Sequence, residues 1–284
     1  MVTLVRTTQE LNDIRSKETR PVGFVPTMGN LHQGHISLLE RALTEYEVVY
    51  FSIFVNPKQF GPNEDFNRYP RTLEQDINLI EELTKRFPKK EVVVYSPKDP
   101  QEVFPESKNQ NVSVLGLSTM LEGKIRPGHF DGVATVVYRL FELMKPTSAY
   151  FGLKDFQQYL VIRQMVKDLQ MPIKIVGMPI IREAEGLALS SRNQYLSPEQ
   201  KSTSLLISRT LKEITKTINN KRANLSQAQT FISTLLKDPN WNYLEMRDAE
   251  TLSEDISHSK QITILAVYQM GTTRLLDNTQ VEIE

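Results

Sequence analysis

The 284-residue chain is long enough for one large domain or two of ordinary size. Its 34 basic and 34 acidic residues cancel, which removes any global field for nucleic acid or a membrane surface, so an anionic ligand has to be gripped by a local cluster. Cysteine is absent, which excludes disulfides, thiolate metal sites and a cysteine nucleophile. With no apolar run of about 18 residues and no signal-peptide core at the start, a cytoplasmic enzyme is the expectation.

Pro21 and Pro26 bracket Val22-Gly23-Phe24-Val25, a short buried strand. Residues 36–43 then have helical apolar spacing, and 48–55 are β-branched and aromatic, as in a strand buried on both faces. Leu73, Ile77, Ile80 and Leu83 form one stripe of a helix over 73–87. A strand at 92–95 follows, then a helix at 133–144 stopped before Pro146. Next come a strand at 149–151, a helix at 155–169 capped by Asp155, and a strand at 173–176. Such alternation predicts a doubly wound, Rossmann-like α/β domain over 1–176 with a parallel sheet.

The tail has another pattern. Pro198 opens a long helix that ends near Asn219-Asn220, and a second helix covers 226–236. Strands at 243–246, 262–267 and 273–276 follow, so 177–284 reads as a smaller α+β domain.

Five polar clusters carry chemistry. In Met28-Gly29-Asn30-Leu31-His32-Gln33-Gly34-His35, the histidines lie three apart and share a face if a helix starts there. Gly34 leaves the backbone open to a phosphate, and the N–H groups and dipole of a helix start favour the same ligand. A helix cap with a surface imidazole is the plainer alternative. Zinc needs two more ligands, and only His129 and His258 remain. A P-loop is excluded, because His35-Ile36 stand where its lysine and hydroxyl belong. Asn56-Pro57-Lys58-Gln59-Phe60 brings amides suited to hydroxyls and a carboxylate. A glycine-rich basic loop over 122–130 contains Arg126 and His129. Gly152-Leu153-Lys154-Asp155 follows a strand, with Gln158 one turn beyond Lys154. Leu189-Ser190-Ser191-Arg192-Asn193 joins two hydroxyls to a guanidinium, a common phosphate grip. In an open α/β sheet ligands bind beyond the carboxyl ends of strands, where the first, second and fourth clusters fall.

These blocks, with Arg126-Pro127-Gly128-His129-Phe130-Asp131-Gly132-Val133, run in order over about 21–196 and resemble the pantoate–β-alanine ligases, within the wider paired-histidine nucleotidyltransferases. The resemblance implies a two-step reaction. ATP and pantoate, with Mg2+, give pantoyl adenylate and pyrophosphate; the amine of β-alanine then displaces AMP. It further implies that Met28 to His35, Asn56, Gly152 to Asp155, Ile181 and Leu189 to Arg192 bind ATP. His35 is the implied catalytic residue, with His32 on the phosphates beside it and Lys154 and Arg192 neutralising charge. Gln59, Gln158 and Arg126 would bind pantoate, the small domain would close over ATP, residues 61–66 would form a lid, and the chain would pair as a homodimer.

Two departures stand out. Leu189 replaces a common methionine, a volume-conserving change. Gln75 precedes Asp76 where family members often pair acidic residues, leaving Asp76 as the candidate magnesium ligand. The second enzyme reading is a nucleotidyltransferase of the same fold acting on a different small acid. An RNA-binding module is disfavoured by the charge balance, and a catalytically dead nucleotide sensor by the retained His32, His35, Lys154 and Arg192.

Overall fold

A computed structural model describes residues 1–62, 64–108 and 110–284. Two compact units emerge, one of Met1–Leu153 with Val161–Pro179, the other of Lys154–Leu160 with Ile180–Glu284.

The first unit is organised by six parallel strands: β1 (Val2–Val5), β2 (Val22–Thr27), β3 (Val48–Ile53), β4 (Glu91–Tyr95), β5 (Ser148–Gly152) and β6 (Lys174–Met178). Their order across the sheet is β1-β4-β3-β2-β5-β6. The crossovers include α1 (Thr8–Arg15), α2 (Gln33–Glu45), α3 (Leu73–Thr84), the single turn α4 (Glu122–Ile125), α5 (His129–Met144) and α6 (Phe156–Asp168). The start of α6, from Phe156 to Leu160, belongs with Lys154 and Asp155 to the second unit. All six residues of β3 are buried, as the unbroken apolar run demands. Leu39 and Leu43 of α2 and Ile80 of α3 pack with Phe51 and Val94 in one core; each such side chain contributes about 1.5–3 kcal/mol.

Sequence order reverses in space between β2 and β5, the switch point where α/β sheets bind ligands. β2 pairs with β5 only at Gly23 and Phe24, while its pairing with β3 continues to Thr27. The strand therefore runs through Pro26 rather than stopping before it. Proline is tolerated there because no β5 partner is registered beyond Phe24. The short elements β1 and α1 also lie outside the sequence-based expectation.

The second unit packs α7 (Pro198–Ile218) and α8 (Leu225–Leu235) on a three-stranded antiparallel sheet, β7 (Trp241–Asp248), β8 (Gln261–Met270) and β9 (Thr273–Glu282). Ser197 and Gln200 make a capping box before Pro198, and Asn219 (φ 47°) ends α7 in the left-handed region. Leu211, Ile214, Ile218 and Ile232 cover Leu244, Ile262, Ile264 and Ala266.

Candidate active site

Beyond β2 the backbone turns through Gly29 (φ 84°) and Asn30 (φ 51°) and enters α2 with His32 as N-cap. His32 Nδ1 accepts the Gly34 N–H at 3.1 Å, and His35 Nδ1 accepts the His32 N–H at 3.3 Å. Two imidazoles thus make a reciprocal capping box in place of the usual hydroxyl and carboxylate. Because each Nδ1 accepts, each neutral ring carries its proton on Nε2, making that nitrogen a donor. The rings lie 4.1 Å apart at 34°. A Cβ on Gly34 would sit 2.8 Å from the His32 ring, so this glycine makes room for the histidine before any ligand arrives. The helix-cap alternative and the ligand reading are therefore compatible: Nδ1 serves the cap, and Nε2 is a donor.

The turn before the histidines is fixed from α3. Asp76 Oδ2 accepts the Asn30 N–H at 3.0 Å and Oδ1 the Leu31 N–H at 2.8 Å, with the Thr72 hydroxyl on Oδ1 at 3.2 Å. Only 1% of Asp76 is exposed. Burial pushes its carboxyl up from 3.8, against the lowering effect of the Leu31, Asn30 and Thr72 hydrogen bonds. Asp76 thus clamps the loop through both oxygens, and a carboxylate accepting three hydrogen bonds retains lone-pair capacity on Oδ2 for the magnesium role expected from the sequence. No group of three or more His, Cys, Asp or Glu able to hold a metal occurs among the described residues.

After β3, Asn56 caps a 3₁₀ turn, Pro57–Gln59, by accepting the Lys58 N–H at 3.1 Å. Asn56 Nδ2 donates to Gln59 Oε1 at 3.0 Å and to the Gly132 carbonyl at 3.1 Å. Arg126, expected at the substrate, forks onto Glu64 at 2.6 and 2.7 Å. Burial would raise the Glu64 carboxyl, yet the Arg126 hydrogen bonds and charge hold it below its usual range. Arg126 also donates to His129 Nε2 at 3.1 Å, and His129 Nδ1 meets the Gln59 carbonyl at 2.8 Å. Of the expected lid over 61–66, Asn63 lies outside the described residues.

In the first unit, Gly152 ends β5 and Leu153 opens a 3₁₀ turn reaching Asp155. Asp155 ends that turn and directly precedes Phe156, the first residue of α6.

The second unit holds Lys154, Gln158, Ile181 and the 189–192 cluster. Lys154 Nζ lies 3.6 Å from Asp155 Oδ1, and its carbonyl accepts from Asn278 Nδ2 at 2.8 Å. Gln158, on α6, is partly buried. The Ile181 carbonyl accepts the Leu189 N–H at 2.9 Å, beside an antiparallel bridge between Arg182 and Ala188. Ser190 caps the Ser191–Tyr195 turn by accepting the Arg192 N–H at 3.3 Å. Beneath it, buried Asn193 donates to Ala188 O at 3.0 Å and Glu183 Oε1 at 3.3 Å. Arg182 forks onto buried Asp277 at 2.6 and 2.8 Å. Sequence reasoning misses the roles of Glu64, Arg182 and Asp277 because their partners are distant in sequence or lie in the backbone, and it places Asn193 in the cluster without its bracing role.

A parallel sheet with its switch point beside β2, and a histidine pair starting the helix that follows, define a nucleotide-binding α/β protein of the paired-histidine kind. The model of the pantoate-beta-alanine ligase family matches residues 2–280, and the chain belongs to that family. It is 42% identical over 283 residues to the pantothenate synthetase of Fervidobacterium nodosum, covering 96% of this chain and 98% of that one. A pantothenate synthetase structure from Thermus thermophilus superposes with a TM-score of 0.87 at 42% identity, covering 98% of each chain. The pantoate-beta-alanine ligase of Francisella tularensis, solved with β-γ ATP and β-alanine, gives 0.76 at 32% identity, covering 98% of this chain and 97% of that one.

Proposed function

We propose that this chain condenses pantoate with β-alanine at the expense of ATP, forming a carbon–nitrogen bond and releasing AMP and pyrophosphate. A carboxylate is a poor acylating group until its oxygen is joined to a phosphate leaving group. In the first step a pantoate carboxylate oxygen attacks the α-phosphorus and the bond to pyrophosphate breaks. In the second, the β-alanine amine attacks the acyl carbon, the carbon–oxygen bond to AMP breaks, and the amine loses a proton. The observation that carries the reading is the reciprocal histidine cap in a chain of this family, with a donor on each Nε2. Negative charge building at the α-phosphate calls for such fixed donors, which need little reorganisation.

On this reading His35 and His32 face the phosphates, within an ATP set of Met28 to His35, Asn56, Gly152 to Asp155, Ile181 and Leu189 to Arg192. Lys154 and Arg192 supply positive charge, while Gln59 and Gln158 hold pantoate. Positioning supplies much of the rate, since no group acts covalently. Magnesium, when bound, supplies charge neutralisation on the phosphates, with Asp76 the candidate carboxylate for it. The family resemblance also underlies three further proposals: domains divided near residue 176 with the smaller closing over ATP, a homodimer, and a cytoplasmic location.

The test is pyrophosphate release from ATP and magnesium with pantoate, with and without β-alanine, in the wild type and His35→Ala. Pantoate-dependent release, sustained by β-alanine and lost in the variant, is the expected result. Release independent of pantoate overturns the substrate assignment and leaves a nucleotidyltransferase of another small acid.

A further inference from the structure

We propose that Arg126 and His129 are positioning residues that fix the backbone of Gln59, so that Arg126 acts through Gln59 and not as a grip on the substrate carboxylate. The inference rests on Gln59 being a pantoate ligand. Arg126 has only donors, so its contact at 3.1 Å makes His129 Nε2 an acceptor. The ring proton must then sit on Nδ1, where it is donated to the Gln59 carbonyl 2.8 Å away. A chain of fixed polarity results: Glu64 carboxylate, Arg126 guanidinium, neutral His129, Gln59 carbonyl. A second Arg126 nitrogen reaches that carbonyl at 3.4 Å.

The side chain of Gln59 is oriented independently. Asn56 Nδ2 donates to Oε1, which fixes the amide's sense and assigns Nε2 as the donor end. Among the described residues that Nε2 has no hydrogen-bond partner. The same Asn56 amide is tied to the Gly132 carbonyl, so the turn is seated on the first turn of α5. The seat is close: a Cβ on Gly132 would fall 2.1 Å from the Lys58 carbonyl oxygen. Backbone, side-chain oxygen and supporting helix thus converge on one residue and leave one donor to meet a ligand. A guanidinium held bidentately by Glu64 has its charge matched before substrate arrives. Gln59 is the polar group this apparatus delivers.

Kinetics of pantoate-dependent pyrophosphate release test this, using His129→Ala, His129→Asn, Gln59→Ala and the Gln59→Ala/His129→Ala double variant. Asparagine keeps a donor near the Nδ1 position. His129→Ala should raise KM for pantoate on the order of tenfold, with KM for ATP unchanged. His129→Asn should recover most of that loss. In the Gln59→Ala background, removing His129 should cost nothing further, because its effect passes through the missing side chain. Additive losses, or equal rises in both KM values, overturn the proposal. Pantoate dependence in the wild type with an unchanged KM in His129→Ala also overturns it. Absence of pantoate dependence in the wild type is the separate failure of the substrate reading. Should His129→Ala not fold, Arg126→Ala carries the same cycle against Gln59→Ala, with the same two outcomes.

Discussion

The histidine segment of the first unit and the 181–193 segment of the second are both candidate phosphate binders, and they are held in different ways. Residues 28–35 leave a strand buried in a six-stranded sheet and enter a helix at once, with a carboxylate from α3 pinning the turn between. Residues 181–193 run through an isolated bridge and a short turn, braced by one buried asparagine and a guanidinium on a distant aspartate. The first is the preorganised kind of site, where donors are fixed by secondary structure on both sides. The second owes its shape to a few side-chain bonds, and each of them is individually breakable.

The comparison predicts where single substitutions hurt chemistry and where they hurt folding. His35→Ala should cost the most activity, on the order of 10²- to 10³-fold in kcat, the range for removing one donor at developing charge. Thermal unfolding should change little, because the capping bond it removes is worth only about 1 kcal/mol. A kcat within a few fold of wild type would show that the rigid segment is scaffolding alone. Asp76→Ala comes next. It strands the buried Leu31 N–H, costing about 1–3 kcal/mol, and the half-buried Asn30 N–H at a smaller cost. Activity should fall along with stability, and Asp76→Asn should restore part of both by returning one acceptor. Unchanged magnesium dependence in Asp76→Asn would leave the clamp as its whole role; a large rise in the magnesium requirement would add the ligand role.

In the second unit, Arg182→Ala leaves the Asp277 carboxylate buried without its partner, so about 3 kcal/mol of stability should be lost. The effect on function should fall on KM for ATP and spare KM for pantoate. Equal effects on both would mean that the second segment is as closely tied to catalysis as the first.

Legibility in the sequence divides along the same line. The α/β alternation is readable because β3 is apolar without a break and α3 carries its stripe at helical spacing. Proline misleads at the end of β2, since tolerance of Pro26 depends on where pairing with β5 stops, a tertiary fact. The polar clusters announce themselves by residue type and spacing. Their supports do not: Asp76 lies 46 residues from Asn30, and Glu64 lies 62 from Arg126. An ordinary helix-start acid and an ordinary loop acid carry no local mark of a partner that only the fold supplies. The family resemblance points Asp76 toward a metal and Arg126 toward the substrate, and the fold adds to each a partner that the sequence does not announce.

The smallest effect tests the polarity of the first unit's second polar cluster. Burial, and then the neighbouring Arg126 charge, lower the His129 imidazole from 6.5 to about 4, against the opposing pull of the Gln59 carbonyl and the Glu64 and Glu122 charges. Its folded value is depressed, so between those limits the unfolded chain takes up a proton that the native state refuses. The contribution is fully present above pH 6.5, is lost as pH falls toward 4, and levels off below. Urea midpoints for the wild type should therefore drop between about pH 7.5 and about pH 5, and His129→Asn should drop less over the same interval. Staying above that lower limit reduces interference from Glu64, whose carboxyl is held below its usual 4.5. Equal drops in the two proteins would mean that His129 ionises normally in the folded state. Below about pH 6.5 its Nε2 would then carry a proton and could not accept from Arg126, and the fixed polarity leading to Gln59 would be lost there.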